Sequence, residues 1–152
     1  MRRDYQGVIL AAGRGARILP LGNAFPKTLL PVCNESIVSH QLRCMQGMGI
    51  RDVFVVCGYK KEMLKRKLGQ GEAWGLCIRY VEQDKLYGIG HSLSLVEPLV
   101  SGPVLVFLGD ICFGPERMES MLEQFEENGA CSVLAVNPEA KADEIRMNFE
   151  VL

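Results

Sequence analysis

The stretch Gln6-Gly7-Val8-Ile9-Leu10-Ala11-Ala12-Gly13-Arg14-Gly15-Ala16-Arg17 decides the class of this chain. Its first half, Gln6 to Ala11, is a short apolar run and reads as a strand. Its second half is a turn rich in glycine and small residues. Such a turn, placed after the first strand of an α/β sheet, can aim backbone N–H groups at an anionic ligand. Small side chains let the backbone approach a phosphate, and glycine tolerates positive φ.

Strand-like and helix-like stretches alternate onward from this point, the pattern of a largely parallel sheet. A long Gly- and Pro-containing loop is expected from Ala12 to about Pro31. Val38, Leu42, Met45 and Met48 fall at helical spacing within Ser36–Met48. Asp52–Cys57 reads as a strand buried on both faces. Lys60–Leu68 reads as a helix with Leu64 and Leu68 inward; its basic cluster (Lys60, Lys61, Lys65, Arg66, Lys67) is open to reading as an anion patch and is expected to be a solvated face. Leu76–Val81 is the third expected strand, Gly90–Leu99 a helix stopped around Pro98, and Val104–Leu108 the fourth strand. Pro115 suits the first turn of a further helix carrying Met118, Met121, Leu122 and Phe125 on one face. Cys131–Val136 is the fifth expected strand, and Phe149–Leu152 alternates like the beginning of another.

Composition fits one soluble α/β domain over residues 1–152. Hydrophobic residues make up 48% of the 152 and charged residues 23%, which excludes disordered and collagen-like classes. The formal net charge of −1 supplies no field for a polyanion, so nucleic-acid binding is not expected. No apolar run reaches membrane-spanning length. Gly13-Arg14 interrupts the N-terminal apolar run too early for a secretory signal. The six cysteines form no C-x-x-C pair and are expected reduced, with Cys57, Cys77 and Cys131 acting as small hydrophobes in or beside strands. The expected compartment is the cytoplasm.

Two familiar nucleotide motifs are absent. A dinucleotide fingerprint needs a third glycine at position 18, where Ile18 stands. Gly22 to Thr28 ends in Lys-Thr like a P-loop, but Pro26 occupies a glycine position and offers no N–H.

The elements present instead are L-A-A-G-x-G-x-R at residues 10–17 and F-P-K-T-L-L-P-V at residues 25–32. They are followed by Val55-Val56-Cys57-Gly58-Tyr59, Tyr80-Val81-Glu82-Gln83 with Gly88, and Phe107-Leu108-Gly109-Asp110. In this order they closely resemble the sugar-1-phosphate nucleotidyltransferases, or nucleotide-sugar pyrophosphorylases, over nearly the whole chain. The resemblance implies a Rossmann-like, three-layer α/β/α fold with a mostly parallel sheet, truncated relative to the family. It implies transfer of a nucleotidyl group from a nucleoside triphosphate to a sugar-1-phosphate, releasing pyrophosphate. The implied partners are thus a triphosphate, with dTTP or UTP favoured as donor, and a sugar-1-phosphate.

By the same resemblance, Arg17 would hold the β- and γ-phosphates and Lys27 the α-phosphoryl or incoming sugar phosphate. Asp110, which ends an apolar strand where α/β sheets present ligand groups, would be a Mg²⁺ ligand. Leu10, Ala11, Ala12, Gly13 and Gly15 would form the nucleotide loop, with Gly109 close by. Gln83 and Gly88 match positions that read the base by side-chain amide and by backbone. His91 is expected to be structural or solvent-facing, and Trp74 a packing residue.

Departures are also visible. Ala16 and Gly22 stand where the family often has threonine. The family's later Glu-Lys-Pro lysine, its sugar-binding residues and its second metal-binding aspartate are not found among these 152 residues. Three readings stay open: an N-terminal piece of a full enzyme, a natural short form completed by a partner chain, and a non-catalytic triphosphate-binding or regulatory module. A cytidylyl- or guanylyltransferase with a non-sugar acceptor is the enzymatic alternative. An open sheet edge would favour a homo-oligomer.

Overall fold

The computed structural model describes residues 4–15, 18, 21–85, 87–112 and 118–134. The chain divides into two compact units, residues 1–113 and 114–152, taken separately below.

The first unit is built on a four-stranded parallel sheet. Strand β1 (Gln6–Ala11) lies between β4 (Asp52–Cys57) and β6 (Val104–Leu108), and β5 (Cys77–Glu82) pairs with the far side of β4. The boundaries of β1, β4 and β6 coincide with the expected apolar runs. Such runs arise because parallel strands are covered on both faces and need no polar alternation. Val53 to Cys57 are all buried, as that reading requires.

Side-chain alternation assigns the two covering layers. Val8, Phe54 and Val56 form one cluster with Val96 of α4 (Ile89–Val96), joined by Leu93 and Val106. Gly7 points the other way, and a Cβ there would lie 2.5 Å from Sδ of Met45 on α2 (Ile37–Gly47). Helices α2 and α4 therefore cover opposite faces, giving the three-layer arrangement.

Helix α2 has clear local causes. Ser36 caps its N-terminus, its Oγ accepting from Ser39 N at 3.3 Å. Ile37, Val38, Gln41, Leu42 and Met45 are buried at helical spacing. Gly49 (φ 81°) ends the helix: its N–H reaches Gln46 O while Ile50 N reaches Met45 O, the paired bonds of a Schellman motif. Helix α3 (Lys61–Leu68) buries Leu64 and Leu68, as expected.

The segment expected as a plain loop from Ala12 to Pro31 holds more structure. It contains a single-turn helix α1 (Leu21–Ala24) and a 3-10 turn (Lys27–Leu29). After it, β2 (Pro31–Val32) and β3 (Glu35–Ser36) form a small hairpin. Its turn residues Cys33 and Asn34 both have positive φ (48° and 67°), matching the twist of a two-residue hairpin turn. These elements are too short for a periodic signal. The helix expected to reach Leu99 is α4, which passes into a 3-10 turn at Glu97–Leu99, where Pro98 cannot continue an α-helical ladder.

In the second unit, helix α5 (Met118–Glu127) forms where expected and ends near Gly129 (φ 57°). Ser120, Glu123, Gln124, Glu126 and Glu127 are exposed, opposite the apolar positions. The expected strand beginning at Cys131 is not formed over its described part: residues 131–134 have no strand pairing, and Leu134 is 82% exposed. A strand pattern without a ladder partner does not make a strand. Pro115, residues 135–136 and Phe149–Leu152 lie outside the described residues.

The cysteines are all free. Cys57 is buried, and burial pushes its thiol pKa up, consistent with an inert core position. Cys77 and Cys131 are exposed and are not core hydrophobes: the first stands on the edge strand β5, the second in an unpaired segment. No helix among the described residues is long and apolar enough to cross a membrane.

Candidate functional site

From β1 the sheet grows to one side through β4 and β5, and the chain then returns to place β6 on the other side. The order therefore reverses between β1 and β6, and ligands of open α/β sheets bind at the carboxyl ends of strands flanking such a reversal. Those ends carry Ala11–Gly13 and Gly109–Asp110.

Close backbone approach stitches this edge together. Gly109 N donates to Leu10 O at 2.9 Å. A Cβ on Gly109 would lie 2.7 Å from Leu10 O, 3.2 Å from Ala11 Cα and 2.6 Å from Thr28 Cγ2. Only glycine lets the β6 turn, the end of β1 and the Thr28 segment meet. On the other side, Gln83 N donates to Cys57 O at 2.8 Å and Tyr59 N to Ala12 O at 3.3 Å.

The glycines of the loop have different jobs. Gly13 is exposed, and a Cβ on it would meet nothing within 4 Å, leaving its backbone open to a ligand. Gly15 has φ 65° and is wedged against Ile18 and Lys27. A Cβ on Gly22 would fall 2.8 Å from Gly15 O, so the glycine at 22 is a packing requirement here. Ala16 and Arg17 lie outside the described residues.

Lys27 and Asp110 come together. Lys27 opens the 3-10 turn behind buried Pro26, and its Nζ donates to Asp110 Oδ2 at 2.8 Å. Asp110 sits in the turn closed by Ile111 N to Leu108 O at 3.1 Å. That turn is gripped from below by Gln41 of α2, whose Nε2 donates to Leu108 O and Ile111 O, both at 2.8 Å. Sequence reasoning missed Gln41. Its signal was a glutamine standing among Val38, Leu42 and Met45 on the buried stripe of α2, where an amide is retained only if it has partners.

The base-reading candidates are also brought together. Gln83 is 3% exposed. Ser92 Oγ donates to its Oε1 at 2.8 Å, and its Nε2 lies 2.8 Å from His91 Nδ1. Gly88, exposed and with φ 88°, precedes α4 and accepts from Ser92 Oγ at 3.1 Å. His91, expected to be structural or solvent-facing, contacts a candidate site residue, while Trp74 is half-buried in a 3-10 turn.

The basic cluster beside α3 is more than a solvated face. Lys60 donates to Asn23 O and Ala24 O, pinning the end of α1. Arg14 and Lys60 each stand 5.6 Å from the Tyr59 ring centroid, within cation–π range. Lys61 and Lys65 both bond Glu82, at 2.5 Å, and hold its carboxyl down at about 2. Arg66 and Lys67 are exposed.

No group of three or more His, Cys, Asp or Glu side chains capable of holding a metal occurs among the described residues. Asp110 is a single half-exposed carboxylate. That donor set fits Mg²⁺, which takes one or two carboxylates and draws its remaining ligands from phosphates and water.

The family model described as nucleotidyl transferase matches residues 6–144. The chain belongs to the nucleotidyl transferase family. Among relatives, it is 31% identical to the UTP–glucose-1-phosphate uridylyltransferase AglF of Haloferax volcanii, over 85% of this chain and 53% of that protein. It is 33% identical to a glucose-1-phosphate thymidylyltransferase of Actinoplanes sp., over 69% of this chain and 35% of that one. Among solved structures, a Bacillus anthracis protein assigned as a glucose-1-phosphate thymidylyltransferase, in complex with sucrose, superposes with a TM-score of 0.74 at 31% identity. That match covers 80% of this chain and 50% of the other. The nucleotidyl transferase chain thus spans about half the length of these relatives, or less.

Proposed function

We propose that this chain acts in transfer of a nucleotidyl group from a nucleoside triphosphate to a sugar-1-phosphate, its described residues supplying the nucleotide-binding part. The observation that carries this reading is the convergence of Lys27 and Asp110 at the switch point, with Gly15 of the nucleotide loop packed against Lys27.

The chemistry joins two anions. A sugar-phosphate oxygen attacks the α-phosphorus, the bond from that phosphorus to the bridging oxygen breaks, and pyrophosphate leaves with the electron pair. The nucleophile is already ionised, so no general base is needed; the work is positioning and charge stabilisation. Leu10 to Gly13 and Gly15 cradle the nucleotide, and Gly109 keeps the β6 turn against them. Lys27 exchanges Asp110 for phosphate oxygens as the triphosphate arrives. An exposed ion pair costs little to exchange. Its ammonium then neutralises the α-phosphoryl and the incoming sugar phosphate. Asp110, once released, would hold Mg²⁺, which when bound screens phosphate charge. Arg17 would stabilise the departing pyrophosphate. Gln83 and Gly88 face the base, with dTTP or UTP as donor. Free cysteines fit a reducing, cytoplasmic setting.

The test is thermal unfolding with Mg²⁺ and each of dTTP, UTP, CTP, GTP and ATP, followed by pyrophosphate release on adding glucose-1-phosphate. Ligand at about 100 times its dissociation constant adds about 2.7 kcal/mol, a midpoint shift on the order of 2–8 °C. A Mg²⁺-dependent shift with turnover supports the full reading. A shift without turnover supports a triphosphate-binding module. No shift with any triphosphate overturns both.

A further inference from the structure

The Gln83 amide is held at both ends, and this has a consequence for base selection. Its Oε1 accepts from Ser92 Oγ and its Nε2 faces His91 Nδ1, each at 2.8 Å. An amide nitrogen only donates, so His91 Nδ1 accepts and the imidazole carries its proton on Nε2. The His91 ring is itself set edge-on to Tyr87, centroids 5.2 Å apart and planes at 81°. Among the described residues, one lone pair on Oε1 and one N–H on Nε2 are left without a partner.

The Ser92 hydroxyl has one proton and two acceptors, Gln83 Oε1 at 2.8 Å and Gly88 O at 3.1 Å. Two self-consistent networks follow. In the first, Ser92 donates to Gln83 and Gln83 donates to His91. In the second, Ser92 donates to Gly88, the amide turns over to donate to Ser92, and a His91 carrying its proton on Nδ1 donates to Gln83 Oε1. The amide is placed as in the first, with Oε1 toward Ser92 Oγ and Nε2 toward His91 Nδ1.

Nucleobases present two kinds of edge. Uracil, thymine and guanine pair a ring N–H with a carbonyl; cytosine and adenine pair a bare ring nitrogen with an amine. An amide complements either kind, but in opposite orientations. A freely turning amide is therefore permissive and a fixed one discriminates, because the wrong edge leaves a buried polar group unpaired. We propose that His91 and Ser92 are specificity-determining positioning residues, which lock the Gln83 amide in one orientation and so make the site distinguish keto-edge from amino-edge bases. This rests on the reading above that Gln83 faces the base.

The experiment is calorimetric titration of the 152-residue chain with UTP, CTP and inorganic tripolyphosphate, each with Mg²⁺. The variants are His91→Leu, Ser92→Ala and Gln83→Ala. The wild type should separate UTP from CTP by at least about tenfold. His91→Leu should shrink that ratio by about tenfold, with Ser92→Ala moving it the same way, while tripolyphosphate affinity stays unchanged. A merely structural role would lower all three affinities together. A ratio that survives His91→Leu and Ser92→Ala but collapses in Gln83→Ala overturns the positioning role and leaves Gln83 at the base. A ratio unchanged in Gln83→Ala, or no UTP–CTP discrimination in the wild type, removes the basis for both. Should His91→Leu fail to fold, Ser92→Ala, which deletes a single oxygen, decides alone.

Discussion

Lys27 and Asp110 are 83 residues apart in the chain and 2.8 Å apart in the fold, joined across the mouth of the β1–β6 reversal. Their side chains are 30% and 46% exposed. Exposed pairs contribute about 0–1 kcal/mol to stability, so the pair is a poor device for holding the fold. It is a good device for holding a cation and an anion ready for a polyanionic ligand.

Lys27→Ala and Asp110→Asn should accordingly unfold within about 1 kcal/mol of the wild type. On the role proposed for Lys27, turnover in Lys27→Ala should fall by roughly 10²–10³, the cost of losing a transition-state charge stabiliser. Asp110→Asn should lose the Mg²⁺-dependent part of triphosphate binding. Urea midpoints beside titrations with and without Mg²⁺ measure both. Intact Mg²⁺-dependent binding in Asp110→Asn argues against its metal role.

Gln41→Leu removes the donor for two carbonyls of the Asp110 turn. Leaving them short costs roughly 1–3 kcal/mol. The low end is expected, because Gln41 Oε1 is itself buried with no hydrogen-bond partner among the described residues and the substitution removes it too. The variant should also weaken Mg²⁺-dependent triphosphate binding. Met45→Ala on the same helix should cost more stability, roughly 2–5 kcal/mol, and spare that binding. Equal binding losses in the two variants would show that Gln41 acts only through global stability.

Gly109→Ala forces a Cβ to within 2.6 Å of Thr28 Cγ2 and 2.7 Å of Leu10 O. Overpacking of this kind costs roughly 1–3 kcal/mol. Adding Thr28→Ser removes the methyl but not the backbone oxygen, so stability should stay low. Full recovery in the double variant would mean that β1 can yield.

Glu82 should shape the acid limb of stability. Its carboxyl is held at about 2, against an ordinary 4.5, by hydrogen bonds from Lys61 and then Lys65. A carboxyl depressed on folding contributes fully above its unfolded value and loses that contribution as pH falls through the folded one. The window is therefore about pH 4.5 down to about 2. Glu82→Gln should flatten the fall in the urea midpoint across that window. The same variant should matter at alkaline pH, since Lys61 and Lys65 are both raised above 10.5 by Glu82. Their contribution is complete below 10.5 and is lost as pH rises from there through their raised folded values. Identical profiles for the two proteins would remove the cluster from the account.

Parallel strands and long helices were legible in the sequence. Val53 to Cys57 are apolar because both faces of that strand are covered, and that demand is local enough to show as a run. Val104 to Leu108 are as apolar, but bury Leu105 and Phe107 while Val104 is exposed and Val106 and Leu108 are half-buried. The candidate residues were legible as an ordered set of motifs, and the structure places Lys27, Asp110, Gln83 and Gly109 at the carboxyl ends of the strands or against them. Short elements were not legible. Leu21–Ala24, Lys27–Leu29 and the Pro31–Ser36 hairpin are held by contacts such as Lys60 to Asn23 and Gly22 to Gly15, which join residues distant in sequence or folded back on themselves. Residues 131–134 had a strand's pattern and no strand pairing among the described residues.

By itself the sequence determined the alternation of strands and helices, the position of the glycine-rich turn, and which charged residues stand in the motifs. Those follow from hydrophobic spacing and backbone freedom, properties of neighbouring residues. Only the tertiary structure decided that Gln41 grips the Asp110 turn, that Gly109 and Gly22 are dictated by space, and that Gln83 is fixed between Ser92 and His91. Each of these depends on the distance between atoms that the fold brings together. A linear pattern carries no such distance.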